Sequence, residues 1–339
     1  GGGAAEETVR PLEAMGPPPL GSSQTAAQYA DLLKQALVYA GFSNRVLGEN
    51  MCDCVIDGGA LQAGPAGYLQ RAESLFTKAL AVTGGTAATM TQLNNAAYGG
   101  RASVRVLAGD WAGATADAQQ VPIGFAYTLP YYNIGEDAQR NRIFYSSGNS
   151  RESGSAYRAH TQWNTWHLQY KYGTTTLTAT TPAATADTRI PIVFTTLVGD
   201  AAIDCCGRVP FWPQAKFTSS AAPIRLTSGR EMQLVRAEER LIANDMGGAM
   251  GFINAARANA GAENITAADI TDGWRLLKRE RGIELWLEAR RLGDLRRWSV
   301  GSTPGALDPL EMVGATSHLA EQDLCFPVSR SERDANPNF

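Results

Sequence analysis

The stretch Trp274–Trp298, WRLLKRERGIELWLEARRLGDLRRW, indicates the fold class of this chain more strongly than any other segment. Its apolar residues recur at intervals of four and seven positions, as Leu276, Ile283 and Leu287 do. This spacing places apolar side chains along one face of an α-helix. The stretch therefore predicts a packed helix, although it is dense in charge.

The charged residues of the same stretch predict buried ion pairs. Three glutamates recur every four residues, a spacing at which like charges repel by a few tenths of a kcal/mol for each pair. Arginine far outnumbers lysine here, and the guanidinium group is the cation best suited to partly buried carboxylates. We expect these groups to serve the fold rather than catalysis or ligand binding. The expected partners are Arg281 and Arg291 for Glu284 and Glu288, and Arg290 for Asp294.

Three phrases in the last third of the chain together resemble the C-terminal signature of the SusD/RagB family of outer-membrane nutrient-binding lipoproteins. The quoted stretch carries the first, with Ala289 where the family usually has glycine. The second is N-x-x-R-x-x-A-G at residues 254–261, and the third is FPVSRSERDANPNF at residues 326–339. In the first phrase the matching residues are Glu280-Arg281, Glu284-Leu285, Glu288, Arg291 and Asp294-Leu295-Arg296-Arg297-Trp298.

This resemblance and the helical periodicity predict a mainly α fold, a tetratricopeptide-like superhelical scaffold with a loop-rich, irregular insertion. We expect residues 1–24 to form an extended tether, because they are rich in Gly, Pro and Ala. Residues 25–339 then form a single domain: scaffold 25–120 and 226–300, insertion 121–225, C-terminal segment 301–339. The predicted scaffold helices span residues 26–39, 68–82, 93–108 and 111–120, with a further pair within 231–260.

Composition and charge exclude several classes of protein. The chain has 339 residues, is 44% hydrophobic and carries a formal net charge of −3, so no basic face for nucleic acid is expected. No apolar run approaches the ~20 residues of a membrane span. The opening GGGAAEETVR lacks the features of a signal peptide. For a mature lipoprotein, we expect the lipidated cysteine to have been removed or to lie just before Gly1.

The five cysteines favour disulfide bonding over metal binding. Their odd number leaves at least one unpaired within the chain. Their spacing is not that of a zinc site, and the chain has only three histidines, so neither a metal nor a cofactor is expected. We expect Cys52 or Cys54 to pair with Cys205 or Cys206.

Aromatic residues crowd the region 125–172, which makes it the best candidate for a ligand site. Flat rings beside amide and hydroxyl side chains suit oligosaccharides or peptides. The competing interpretation is that most of these rings pack beneath irregular loops. The candidate ligand-binding residues are Trp163, Trp166 and Tyr157, followed by Tyr131 and Tyr132.

The resemblance implies a non-enzymatic protein on the bacterial cell surface, held to the outer membrane by an N-terminal lipid. It would capture oligosaccharide or peptide nutrients and deliver them to a TonB-dependent transporter of the SusC type. One alternative is a structural helical protein that self-associates through its N-terminal arm into a surface assembly. A glycan-cleaving enzyme using Glu152, Asp200 or Asp204 is the least favoured, because nothing in the sequence fixes their geometry.

Overall fold

The computed structural model describes residues 2–19, 21–134, 139–147, 187–191, 214–307 and 324–338. These ranges are mainly helical, as predicted, and the tetratricopeptide-like arrangement is confirmed. No described helix combines the length and the apolar character needed to cross a membrane. In chain order the elements are α1 Gly2–Met15, α2 Ala26–Asn50, α3 Ala66–Ala81, α4 Ala87–Ala108, α5 Trp111–Ala118, β1 Ala126–Leu129, α6 Arg142–Ser147, β2 Ile224–Ser228, α7 Gly229–Ile242, α8 Met246–Asn259, α9 Ile270–Glu284, α10 Arg291–Val300 and α11 Arg330–Ala335.

Helices α2 to α5 form two consecutive antiparallel hairpins around one apolar core. The ring of Phe76 on α3 is fully buried between two glycines, Gly41 on α2 and Gly100 on α4. A Cβ atom at either glycine would come within 2.7 or 2.3 Å of that ring, so the small residues allow the helices to approach it. Gly109 ends α4 in the left-handed conformation, and Asp110 caps α5 by accepting from the Gly113 N–H.

Helices α7 to α10 build the second helical unit around their own core. Ser228 caps the start of α7. Asp245 caps the start of α8 directly after the short turn that follows α7, and the two helices pack against each other. Trp274 of α9 and Trp298 of α10 are both buried against this pair. The prediction of two helices within residues 231–260 is confirmed.

A two-stranded antiparallel sheet joins the two units. Strand β1 pairs with β2 with a register shift between Tyr127 and Thr128. The backbone crosses closely where β2 runs into α7, because a Cβ atom on Gly229 would lie 1.9 Å from the Pro122 carbonyl oxygen. Gly229 also donates its N–H to the Phe125 carbonyl at 2.9 Å. The sheet therefore fixes the segment before β1 against both helical units.

The N-terminal segment is helical over residues 2–15, so the prediction of an extended tether is wrong there. Val9 of α1 is buried in the first core, and Glu6 pairs with Arg71 of α3. The Gly and Pro content was a poor guide, because an apolar residue and an acid one turn apart suffice to dock a helix on α2 and α3. Helix α2 likewise extends to Asn50, beyond the predicted end at residue 39. Gly41 lies inside this helix and faces the ring of Phe76.

The quoted stretch forms two helices rather than one. Helix α9 ends at Glu284, and Leu287 and Ala289 take positive φ angles of 59° and 58° before α10 begins at Arg291. Left-handed residues cannot continue a right-handed helix. Carbonyl groups in this turn accept from side chains of other segments: Trp286 from Lys216, Glu284 from Arg225, and Ala289 from Asn50. These donors hold the strained turn in place.

The acids of the quoted stretch are buried and ion-paired, as expected, but most of their partners come from other segments. The partners predicted one turn away are wrong for Arg281 and Arg290, because each of these arginines pairs with acids on other helices. Arg290 reaches Glu49 at 2.7 Å and Glu231 at 2.8 Å instead. The other pairs are Glu280 with Arg189 and Arg257, Glu284 with Arg225 and Arg230, Glu288 with Lys216 and Arg225, and Asp294 with Arg281 and Arg297.

Cys52 forms a disulfide with Cys325, not with the predicted Cys205 or Cys206, and Cys54 is a free, buried thiol. Cys205 and Cys206 lie outside the described residues. The disulfide is supported by a parallel bridge in which Phe326 exchanges backbone hydrogen bonds with Asn50 and Cys52. Asn336 and Asn338 then donate to the carbonyls of Gly59 and Gly58. The C-terminal segment is thus fastened to the loop after α2.

Candidate binding site

Two of the five candidate ligand-binding residues lie in the described part of the chain, immediately after β1. Tyr132 is 54% exposed, and Tyr131 is half-buried, which raises the pKa of its phenol. Trp163, Trp166 and Tyr157 lie outside the described residues, as do Glu152, Asp200 and Asp204. The structure therefore gives an environment only to the tyrosine pair.

The loop that carries the tyrosine pair is held by hydrogen bonds to the segment before β2. Ser220 donates its hydroxyl to Asn133 Oδ1 at 3.0 Å. The side chain of Asn141 is fully buried and donates to the Ala222 carbonyl at 2.8 Å, while its N–H donates to the Ser220 carbonyl at 2.7 Å. Tyr132 donates its N–H to the Gln139 carbonyl at 2.8 Å. An exposed ring on a fastened backbone suits ligand stacking, because little entropy is lost on binding.

An open groove of about 660 Å³ lies between the N-terminal half of α4 and the start of β1. This volume is within the range of about 300–1,000 Å³ that is usual for small-molecule sites. None of the described residues that line it carries a charged side chain. The lining residues are Ala87, Ala88, Thr91, Gln92, Asn95, Gly124, Phe125 and Ala126.

The sequence of α4 explains why the groove is polar on this side. Leu93, Ala96 and Ala97 turn into the core, so the side chains between them face away from it. Gln92 and Asn95 fall on that second face, and within the described residues neither amide makes a hydrogen bond. The sequence prediction missed this surface, because its candidate residues all came from the aromatic-rich region. The signal in the sequence was the pair of amides, Gln92 and Asn95, on the side of α4 away from its alanine- and leucine-rich face.

The buried acids of the described region are committed to ion pairs. Its most buried carboxylates pair with arginine or lysine, and no group of three or more potential metal-ligating residues occurs in the ranges described. Burial alone would raise the pKa of Glu231, but Arg290 and Arg45 outweigh it and hold that pKa at about 2. A carboxylate that stays ionised between two cations is a structural anion rather than a general acid.

Comparison with known proteins agrees with this architecture. A family model described as the SusD family matches residues 218–338. A SusD-like carbohydrate-binding protein from Bacteroides fragilis is 15% identical, with 98% of this chain and 83% of that chain covered at a TM-score of 0.61. A SusD superfamily protein from Parabacteroides distasonis is 13% identical, with 99% and 82% covered at a TM-score of 0.60.

Surface glycan-binding protein A from Bacteroides uniformis is a third solved relative. It is 13% identical, with 99% of this chain and 81% of that chain covered at a TM-score of 0.58. At these identities the likeness establishes the shared fold. No curated protein gives a significant sequence match to this chain.

Proposed function

We propose that this chain, whose residues 218–338 match the SusD family model, binds oligosaccharide, or peptide in the second instance, at a bacterial cell surface without chemically altering it. The observation that carries the proposal is the combination of the family match at residues 218–338 with a SusD-like fold over almost the whole chain. Two of the solved relatives are described as a carbohydrate-binding and a surface glycan-binding protein. Carbohydrate is therefore the ligand class that we favour.

The proposed ligand surface begins at the tyrosine pair after β1. Tyr132 presents an exposed ring, and the C–H faces of a pyranose stack well on such rings. Trp163, Trp166 and Tyr157 remain predicted members of the same surface. Asn133 and Asn141 are engaged in holding the loop, so we assign them to support rather than to ligand contact.

We further propose that the protein delivers its ligand to a TonB-dependent transporter of the SusC type, with a lipid on the N-terminal side of the chain as its anchor. The alternative of a self-assembling structural protein is not favoured. Its proposed contact was the N-terminal arm, whereas Val9 and Glu6 of that arm are used within the same chain.

Isothermal titration calorimetry of the purified chain against a panel of oligosaccharides and peptides tests the binding step. Tyr132→Ala should weaken binding about tenfold while leaving the melting temperature unchanged, because an exposed ring contributes to stacking and little to the core. Phe326→Ala is the matched control, since Phe326 is also an exposed ring, 56% accessible, but belongs to the C-terminal segment. Equal effects of the two changes, or no binding by the wild type, would contradict the proposal.

Detergent extraction tests the partner step. Purification of the native protein from membranes should bring a large β-barrel protein with it. Recovery of this chain alone, or of filaments built only from it, would count against the transporter partner.

A further inference from the structure

We infer that the groove between α4 and β1 is a second sugar subsite, separate from the tyrosine pair and selective for uncharged sugar residues. The inference rests on the proposed function and adds a location and a ligand charge to it. The described residues that line the groove include neither Tyr131 nor Tyr132.

The polar groups in the groove suit the hydroxyls of a sugar. Gln92 and Asn95 lie three positions apart on α4 and so point to the same side of the helix. Each amide offers two N–H donors and one acceptor oxygen, and none of these is used within the described residues. Thr91 donates its hydroxyl to the Ala87 carbonyl at 2.9 Å, which leaves the Thr91 oxygen free to accept from a ligand.

The opposite wall of the groove supplies an apolar surface that is held rigidly. Phe125 is half-buried and packs against both the core of the first hairpins and the smaller core around α5 and α7. Its backbone is also fixed, because its N–H donates to the Pro122 carbonyl at 2.9 Å and its carbonyl accepts from Gly229. A ring on one wall and amides on the other match the apolar face and the hydroxyl edge of a pyranose.

Two observations favour an uncharged ligand over an acidic one. Among the described residues that line the groove there is no arginine, lysine or histidine to pair with a carboxylate or sulfate. At the end of the groove, the N-terminus of α4 already has a protein carboxylate beside it: Asp31 accepts from the N–H and the hydroxyl of Thr86 at 3.0 and 2.9 Å. The positive end of that helix is therefore occupied, and a second anion would be repelled.

Calorimetry with maltohexaose, cellohexaose, xylohexaose, mannohexaose and oligogalacturonate tests the subsite on the full chain. For a neutral oligosaccharide that the wild type binds, Gln92→Ala with Asn95→Ala should weaken binding roughly tenfold, the loss expected for two neutral hydrogen bonds. The matched control is Gln70→Ala, because Gln70 is an exposed amide on α3 that does not line the groove. The control should bind like the wild type.

A second variant blocks the groove without removing a contact. Ala88 is exposed at the groove, so Ala88→Arg should keep the helix and fill the space that the sugar needs. If the double variant fails to fold, Ala88→Arg still tests whether the groove binds sugar. Phe125→Leu should weaken binding as well, since it keeps apolar volume and removes the ring.

The outcomes separate the two ideas. Wild-type affinity in Ala88→Arg and in the double variant would overturn the subsite and leave the proposed function standing. Preference for oligogalacturonate over every neutral probe would overturn the assignment of ligand charge. Absence of binding to all five probes would count against oligosaccharide binding itself, and the subsite would fall with it.

Discussion

Asp294 is the residue whose removal should reveal most about how the quoted stretch holds this fold together. Its carboxylate accepts from Arg281 Nε and Nη2 at 2.8 and 2.9 Å, and Arg297 Nη2 donates to Oδ1 at 2.8 Å. Burial alone would raise the pKa of Asp294, but Arg281 and Arg297 outweigh it and the pKa is well below its usual value. The carboxylate is therefore fully ionised at neutral pH, and Asp294→Ala removes a charge from the interior.

The loss of stability in Asp294→Ala depends on which carboxylate partners Arg281 and Arg297 retain. Arg297 also pairs with Glu238, so it retains a carboxylate after the change. Within the described residues Arg281 has no other carboxylate partner, and its side chain is only 3% exposed. An uncompensated buried charge costs about 3–5 kcal/mol of folding free energy. We expect a loss of that size for Asp294→Ala.

Equilibrium urea denaturation at pH 7 measures this loss as a lower midpoint. Asp334→Ala is the matched control, because Asp334 pairs with Arg330 on the surface, with side chains 68% and 92% exposed. An exposed pair of this kind contributes about 0.5 kcal/mol or less. Adding Arg281→Leu to Asp294→Ala should recover part of the stability, since the stranded cation is then gone. Equal midpoints for Asp294→Ala and Asp334→Ala would refute the reasoning.

Three further changes test other parts of the structure. The pKa of Glu231 falls from 4.5 to about 2 on folding, which corresponds to about 3 kcal/mol of stability at about 1.4 kcal/mol for each pH unit. This stability is present above pH 4.5 and is lost as the pH falls towards 2. A plot of the urea midpoint against pH should therefore be flatter for Glu231→Gln than for the wild type. Cys325→Ser should lower the free energy of unfolding by about 2–4 kcal/mol and speed proteolysis of the C-terminal segment, because it removes the disulfide. Cys54→Ala should leave the rate of that proteolysis unchanged, because Cys54 is a free thiol. Ala289→Gly should raise thermal stability by about 1 kcal/mol, because residue 289 is left-handed, while Ala255→Gly inside α8 should lower it by about as much.

The helical hairpins were predictable from the sequence because their signals are local. Alanines and leucines at helical spacing, together with caps such as Asp110 and Ser228, report on contacts within a few residues. The same kind of reasoning ended the second helix too early, at residue 39, whereas Gly41 lies inside that helix and makes room for Phe76 from another helix. A glycine's role in close packing depends on a partner that the local sequence does not name.

The bend in the quoted stretch could not be read from periodicity for a similar reason. No proline or glycine marks residues 285–290, and the apolar spacing continues through them. The turn is stabilised by Lys216, Arg225 and Asn50, which are distant in sequence. One clue was present: Ala289 stands where the resembling signature has glycine, and its φ is 58°. Glycine adopts a positive φ without steric cost, so a glycine at this place in the signature agrees with a left-handed residue.

Part of the candidate site was predictable and part was not. The aromatic-rich composition directed attention to Tyr132, and the structure places its exposed ring in the loop after β1. The groove depends on which face of α4 the sheet leaves open, and this is set by the long-range approach of Gly99 to Thr227, where a Cβ atom would lie 2.4 Å from the threonine hydroxyl. Sequence spacing identifies the two faces of a helix, but it does not say which part of the outer face stays uncovered.

The buried charges explain how a recognisable signature can persist in a fold whose relatives share only 13–15% of their residues with it. Alanines and leucines in the hairpins can be exchanged for others of similar volume at modest cost. A buried arginine permits no such exchange, because the acid that pairs with it must remain on the neighbouring helix or strand. Arg290 lies within the matched residues 218–338, yet one of its partners, Glu49, lies on α2 outside them. The quoted stretch therefore acts as the junction between the first hairpins, the sheet and the second helical unit. Since that junction fixes the scaffold from within, the two proposed ligand surfaces, the tyrosine loop and the outer face of α4, can change without loss of the fold.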